Sequence, residues 1–284
     1  MVGPTADELG SAPRPGFRPI VLPSGLGFDP QGCLRTWYSI DMPYDYGSQY
    51  QLRRWVLERT DEFNAHLRRA SPTLDEWIDD IAWIAPAAED HHELRDEAWS
   101  AAGLPTPSPQ DAGWWPPGGQ VWDAVAKATG TDGQAGAIFV EAKGRESELR
   151  SGGTRATDPE SISAIHSALA DVQAAVETPI GTNWMGPTYQ PANRLAMLYF
   201  ARCKRQPPVP VWLVSLYVCG ERYKSVSGIV GPADEETWRP IIRSLHDEMG
   251  LPHGRTVLSE WWIELFLPPL APPAPTTPPA TWER

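Results

Sequence analysis

Asp123, Glu141 and Lys143 are the residues whose types and spacing could do chemistry. Glu141 and Lys143 stand two apart in Ile138-Phe139-Val140-Glu141-Ala142-Lys143, and Asp123 lies in a second apolar run that includes Val121 and Val125. Between the runs, Gly130-Thr131-Asp132-Gly133 and then Gly136 read as the turn of a hairpin of neighbouring antiparallel strands. Successive strand residues face opposite sides of a sheet, so Ile138, Val140 and Ala142 share an apolar face while Phe139, Glu141 and Lys143 share the other. On the first arm Val121, Asp123 and Val125 share a face, which embeds one carboxylate between β-branched side chains. Burying an ion without a partner is costly, and a divalent cation is the partner expected there.

Lysine usage adds weight to position 143. Of 24 Lys plus Arg only four are Lys, at 127, 143, 204 and 224, so the chain writes its surface cations as Arg. Lys is a compact donor that can hold or activate a water, whereas Arg is a permanently charged planar fork.

The elements that must position these residues follow from periodicity. Residues 1 to 34 are Pro/Gly-rich and read as an extended or disordered lead-in. From 35 to 110 the pattern predicts a helical extension packed on the core, with Leu52, Trp55, Val56 and Phe63 at helix spacing. A second helix is expected through Leu74, Trp77, Ile78, Ile81 and Ile84 after the start signal Ser71-Pro72-Thr73. A third is expected over residues 88 to 103. It would place Glu93 and Glu97 one turn apart, where one of them could aim a carboxylate at the site. Its His91 and His92 face different directions on a helix and lack a His-Glu-x-x-His spacing, so they read as a solvated face. Trp114-Trp115-Pro116-Pro117 reads as aromatic anchoring under a loop, with a binding platform as the alternative.

The core is expected over 111 to 267. Asp158-Pro159-Glu160 is a helix start, with Asp as cap and Pro at the first helical position. The helix over 190 to 205 carries Gln190, Asn193 and Arg194 on one face, and with Arg202, Lys204 and Arg205 it holds four cations and no acid. That makes it the expected phosphate-facing patch. The apolar run over 211 to 219 suits a central strand covered on both faces. An acidic helix over 234 to 249 and a final strand over 257 to 267 follow, and 268 to 284 is a Pro-rich tail expected to be disordered.

A net charge of −12 argues against indiscriminate nucleic-acid binding, because Lys and Arg contacts to phosphate supply most of non-specific affinity. No stretch approaches the roughly 20 apolar residues of a membrane span, and the N-terminus has no signal-peptide pattern, so no membrane and a cytoplasmic location are expected. Three widely spaced cysteines, Cys33, Cys203 and Cys219, fit neither a disulfide framework nor a zinc site.

In the segments Trp122-Asp123-Ala124-Val125-Ala126, Val140-Glu141-Ala142-Lys143 and Tyr189 to Ala196, over roughly residues 95 to 220, the chain resembles the PD-(D/E)xK, or restriction-endonuclease-like, nuclease superfamily. More narrowly it is similar to bacterial proteins with the same Trp-Asp-Ala-Val and Val-Glu-Ala-Lys motifs. The usual Pro before the first Asp is Trp122 here. The resemblance implies an α/β (α+β) fold with a central mixed sheet flanked by helices. It implies a Mg²⁺-dependent nuclease, Mn²⁺ able to substitute, acting on DNA rather than RNA. Asp123, Glu141 and the Ala142 backbone carbonyl would hold the metal, and Lys143 would position or deprotonate the attacking water. Gln190, with Asn193 or Arg194, would contact substrate or brace the site, and Glu93 or Glu97 would complete it. The competing reading is a catalytically silent nuclease-fold scaffold with a protein partner on its acidic helical half or Pro-rich tail. In a third reading Glu141 and Lys143 are a surface pair worth about 0 to 1 kcal/mol.

Overall fold

Two Gly-bracketed apolar runs form the hairpin at the centre of the sheet. Ala124–Gly130 is β2 and Ala135–Lys143 is β3, paired antiparallel from Ala124 with Val140 to Thr129 with Ala135. Gly133 sits in the turn at φ 80°, a conformation L side chains rarely adopt, and Gly133 donates its N–H to the Gly130 carbonyl. Gly136 serves close approach instead, since a Cβ there would lie 2.5 Å from the Pro210 carbonyl oxygen. The computed structural model describes residues 47–86, 93–221, 231–253 and 255–271. The lead-in over 1 to 34, His91 and His92, Cys33, Lys224 and the tail beyond 271 lie outside them.

The sheet has five strands in the order β1-β2-β3-β4-β5, with β1 (Ile78–Ala85), β4 (Val211–Val218) and β5 (Trp262–Leu267). The first three run antiparallel to their neighbours and β3, β4 and β5 run parallel, so the sheet is mixed. Parallel neighbours need long crossovers. The crossover from β3 to β4 carries α5 (Pro159–Ala175) and α6 (Tyr189–Tyr199), and that from β4 to β5 carries α7 (Glu235–Glu248). β4 is buried on both faces, as its continuous apolar run requires.

Strand alternation splits the interior into two clusters. Val125, Phe139, Leu213 and Tyr217 face α5, α6 and α7. Ala126, Ile138, Val140, Val214 and Leu265 face α1 (Ser48–Glu58), α2 (Thr60–Ala70) and α3 (Pro72–Trp77). The molecule is therefore a mixed sheet between helical layers. The face carrying Phe139, Glu141 and Lys143, expected to be given over to chemistry, is packed around Phe139. Only its Glu141 and Lys143 end turns toward a site.

Local signals at helix starts hold. The Asp158 carboxylate accepts from Ser161 N at 2.8 Å with Pro159 at the first position of α5, and Ser71 Oγ accepts from Leu74 N at 3.2 Å at the start of α3. The helix expected through Ile84 does not. It ends at Trp77, and Ile78–Ala85 is the edge strand β1. Register shifts lie between Ile78 and Asp80 and between Trp83 and Ala85. Each irregularity disturbs the two-residue alternation, so the buried positions 78, 81 and 85 fall three and four apart and imitate a helix. The stretch expected as a helical extension thus supplies a strand of the sheet, and the described residues fall in one unit. Of the helix expected over 88 to 103, residues 88 to 92 lie outside the described residues, and within 93 to 103 the helical part is Ala98–Ala101, here α4, with Leu94 in an extended bridge to Trp122.

Gly136→Ala tests the hairpin's seat on the chain leading into β4. Overpacking at this backbone contact is expected to cost about 1–3 kcal/mol of unfolding free energy in urea titration, whereas Gly118→Ala, which meets nothing within 4 Å but sits at φ 77°, reports the conformational cost alone.

Candidate metal centre

Where β2 begins, β3 runs on past it, and the motif residues gather in that step. Asp123 precedes the first residue of β2, and its N–H bonds the Val140 carbonyl at 3.2 Å. Its Oδ2 accepts from the Ala142 backbone N–H at 2.8 Å. A strand residue that bonds a neighbour turns its N–H and C=O to the same side, so the Ala142 carbonyl opens on the side of Asp123. The carbonyl is accordingly available to a cation held by Asp123.

Glu141 lies beneath this step and is thoroughly partnered. Its Oε1 accepts from Lys143 Nζ at 2.5 Å and from Gln190 Nε2 at 2.7 Å. Its Oε2 accepts from Arg194 Nε at 2.9 Å and Nη2 at 2.7 Å. The Glu141 and Arg194 side chains are 9% and 7% exposed, so this is a buried ion pair. Gln190 also accepts from Lys143 Nζ at 3.2 Å through Oε1. Gln190 and Arg194 stand one turn apart on α6, which places both over the same carboxylate.

Trp122 has a physical role. Its ring is 1% exposed, packs 4.8 Å from the Phe139 ring and lies 4.8 Å beneath the Arg194 guanidinium. Arg194 also donates to Asn193 Oδ1 at 2.6 Å and to the Val121 carbonyl at 2.5 Å. Most of its donors are thus bonded inside the protein, to Glu141, Asn193 and Val121, whereas the sequence pattern has it facing phosphate.

The rest of the basic helix is partnered in the same way. The α6 helix passes into a π-helical turn, Phe200–Lys204, in which Arg202 stacks on Trp261 at 3.9 Å and Lys204 pairs with Asp171 at 2.7 Å. Arg205 donates to the Pro207 and Thr106 carbonyls, both at 2.7 Å. Each of the four cations therefore has a partner within the protein.

Of the two helix carboxylates proposed for the site, Glu97 occupies the N-cap of α4, whereas Glu93 is drawn to Asp123 through a residue the sequence did not single out. Gln49, at the start of α1, donates from Nε2 to Glu93 Oε1 at 2.5 Å and to Asp123 Oδ1 at 2.8 Å. An amide nitrogen shared by two carboxylates stands where positive charge is wanted. Neighbouring α1 contacts hold it there, since Ser48 Oγ donates to Glu148 Oε2 at 3.2 Å and the Gly47 N–H to Glu221 Oε1 at 2.7 Å. No local signal marks Gln49, because 74 residues separate it from Asp123. A second unforeseen residue, Asp96, accepts from the Gly118 and Gly119 N–H groups, each at 2.7 Å, and so pins the Trp-Trp-Pro-Pro-Gly-Gly loop. In that loop Trp115 is 3% exposed and Trp114 packs 5.3 Å from Phe200, so the aromatics are anchors.

The two acids differ electrostatically. Burial, followed by the Glu141 charge, pushes Asp123 up to about 7, and the contributions of Lys143, the Ala142 N–H and Gln49 do not offset this. Burial also opposes ionisation of Glu141, but Arg194 and Lys143 together outweigh it and hold its carboxyl below the ordinary range. An under-compensated carboxylate beside hard oxygen donors fits Mg²⁺ better than a soft or thiolate-preferring metal. Among the described residues no group of three or more His, Cys, Asp or Glu is arranged to hold a metal ion, so a cation here would rely on the carboxylate pair and the Ala142 carbonyl.

Two outcomes follow. Arg194→Ala strands Glu141, and thermal denaturation should show a loss of about 3 kcal/mol, the low end of the range for one partner removed from a buried pair, because Lys143 and Gln190 remain. For Asp123 the folded carboxyl holds its proton up to about 7 against an ordinary 3.8, so the native state binds more protons between those values. Melting temperature in chelator should therefore fall from pH 5 to pH 8 relative to Asp123→Asn. His246, pushed down to about 4 by burial, acts in the opposite sense in both proteins and cancels in the comparison. No family model, characterised protein or solved structure gives a significant match to this chain, so the character of the centre rests on the contacts of its own residues.

Proposed function

We propose that the protein is a Mg²⁺-dependent nuclease of the PD-(D/E)xK type that hydrolyses phosphodiester bonds in DNA. One observation carries the reading: Asp123 Oδ2 on the Ala142 N–H and Lys143 Nζ on Glu141 bring the three motif side chains to one strand end. The element order supports it, since an antiparallel three-strand meander, helices and a strand parallel to β3 form the mixed sheet that such nucleases use.

Asp123, the Ala142 carbonyl and Glu141 would hold the metal, with Glu93 at hand through Gln49. Mg²⁺, when bound, supplies Lewis-acid polarisation of the scissile phosphate and acidifies the attacking water. Lys143, whose Nζ donates to Glu141, would position the attacking water and offset negative charge on the phosphate oxygens. Gln190 fixes Lys143 from one side while Arg194, seated on Trp122, fixes Glu141 from the other. That pre-organised donor set is the protein's contribution to the transition state.

The alternative, a catalytically silent scaffold, is favoured by a different observation. Four N–H groups from Lys143, Gln190 and Arg194 already occupy the Glu141 oxygens, close to the capacity of a carboxylate. Metal ligation by Glu141 then requires Lys143 or Gln190 to release Oε1.

Titration with Mg²⁺ at pH 8 separates the two. Under the nuclease reading, Mg²⁺ at about a hundred times its Kd stabilises the fold by about 2.7 kcal/mol, Asp123→Asn abolishes the gain, and Lys143→Ala slows DNA cleavage about a hundredfold or more. A stable protein that shows no Mg²⁺-dependent shift and cuts neither DNA nor RNA leaves the scaffold reading standing.

A further inference from the structure

A cleft of about 750 Å³ opens beside the metal centre, lined by Arg95, the 116–119 loop, the 151–158 segment and the first turns of α6. Gln190, which bonds both Glu141 and Lys143, lines it, so the cleft leads to the motif residues. Its charge runs against that of the chain. Arg95, Arg155 and Arg194 line it with a single acid, Asp158, in a protein of net charge −12. The Asp158 carboxylate is turned to the start of α5, where it accepts from Ser161 N at 2.8 Å. Arg194 is spent on Glu141, Asn193 and Val121. Arg95 and Arg155 are different: both are exposed, and neither side chain has a hydrogen bond or ion pair among the described residues. Tyr189, partly buried, adds an aromatic ring to the lining, and its hydroxyl has no partner among the described residues.

We infer that this cleft is the path of a single-stranded nucleic-acid segment, with two phosphates held by Arg95 and Arg155 and a base stacked on Tyr189, leading to Lys143. The inference rests on the nuclease reading and names its substrate class. A volume of this size encloses a ligand of one or two nucleotides and no length of duplex. The two partner-free cations of the cleft neutralise few phosphates, whereas duplex binders gain their affinity from many. Single-strand sites combine a basic track with aromatic stacking, and stacking tolerates any base sequence. The strand would be recognised by its exposed bases and two phosphates, with no groove readout.

The test measures binding of a fluorescent oligothymidylate and of a duplex of equal length to the full chain, in chelator, at 50 to 200 mM salt. The single strand is expected to bind more tightly. Its logarithmic salt slope should be about −1.4, from about −0.7 for each of two phosphates. The exposed-residue variant Arg95→Ala/Arg155→Ala is expected to keep its melting temperature and lose the slope, and Tyr189→Leu to weaken binding about tenfold. Tighter binding to duplex, a slope of about −5 or steeper, no binding, or unchanged binding by the double Arg variant overturns the inference. Cleavage with Mg²⁺ separates it from the nuclease reading. A strand bound in the cleft but never cut upholds the cleft and removes the nuclease. Duplex cleavage unaffected by the double Arg variant does the reverse.

Discussion

The Glu141–Arg194 ion pair is the constraint on which the rest of the site depends. A carboxylate within the sheet, flanked by Phe139 on its own face, is sustainable only if a cation is brought to it and fixed there. The guanidinium comes from α6, some fifty residues later in the chain, and places two N–H groups on Glu141 Oε2. The pair thereby sets the rotation of α6 about its axis, since Gln190 must then lie over Glu141 Oε1 and Lys143. Trp122 completes the seat from below. Breaking the pair leaves a buried charge, which costs more than the pair itself contributes.

This arrangement divides the labour between two neighbouring acids. Glu141 is compensated by Arg194 and Lys143 and stays ionised. Asp123, one strand away, has the amides of Ala142 and Gln49 and the electrostatic cost of its neighbour. The asymmetry leaves one carboxylate short of positive charge at the point where a backbone carbonyl also opens. The Gln49 amide, shared with Glu93, supplies part of what is missing. A cation entering the site would compete with that amide, which would couple α1 to any occupancy of the site.

The distribution of arginine follows the same logic of partners. Helix α6 and its π-helical end look basic as a sequence, yet Arg194, Arg202, Lys204 and Arg205 meet carboxylates, carbonyls or indole rings. In the cleft beside α6, the cations without a side-chain partner among the described residues are Arg95 and Arg155, both in irregular segments. Local charge counts register composition, whereas a ligand meets only what the fold has not already neutralised.

The sequence by itself determined the hairpin, the placing of Asp123 beside the strand end that carries Glu141 and Lys143, the interior strand β4 and the caps of α3 and α5. These depend on interactions within a few residues: strand alternation, glycine turns and side-chain capping. The tertiary structure decided what depends on partners far along the chain. Irregularities in its pairing with β2 gave β1 a helix-like spacing, so Ile78, Ile81 and Ile84 read as a helix until β2 was in place. Leu94 bridges Trp122 in extended geometry, and Glu93 beside it meets Gln49 from α1. Whether Arg194 faces phosphate or Glu141 was likewise invisible in sequence, because a side chain's charge is local but its compensation is set by three-dimensional proximity.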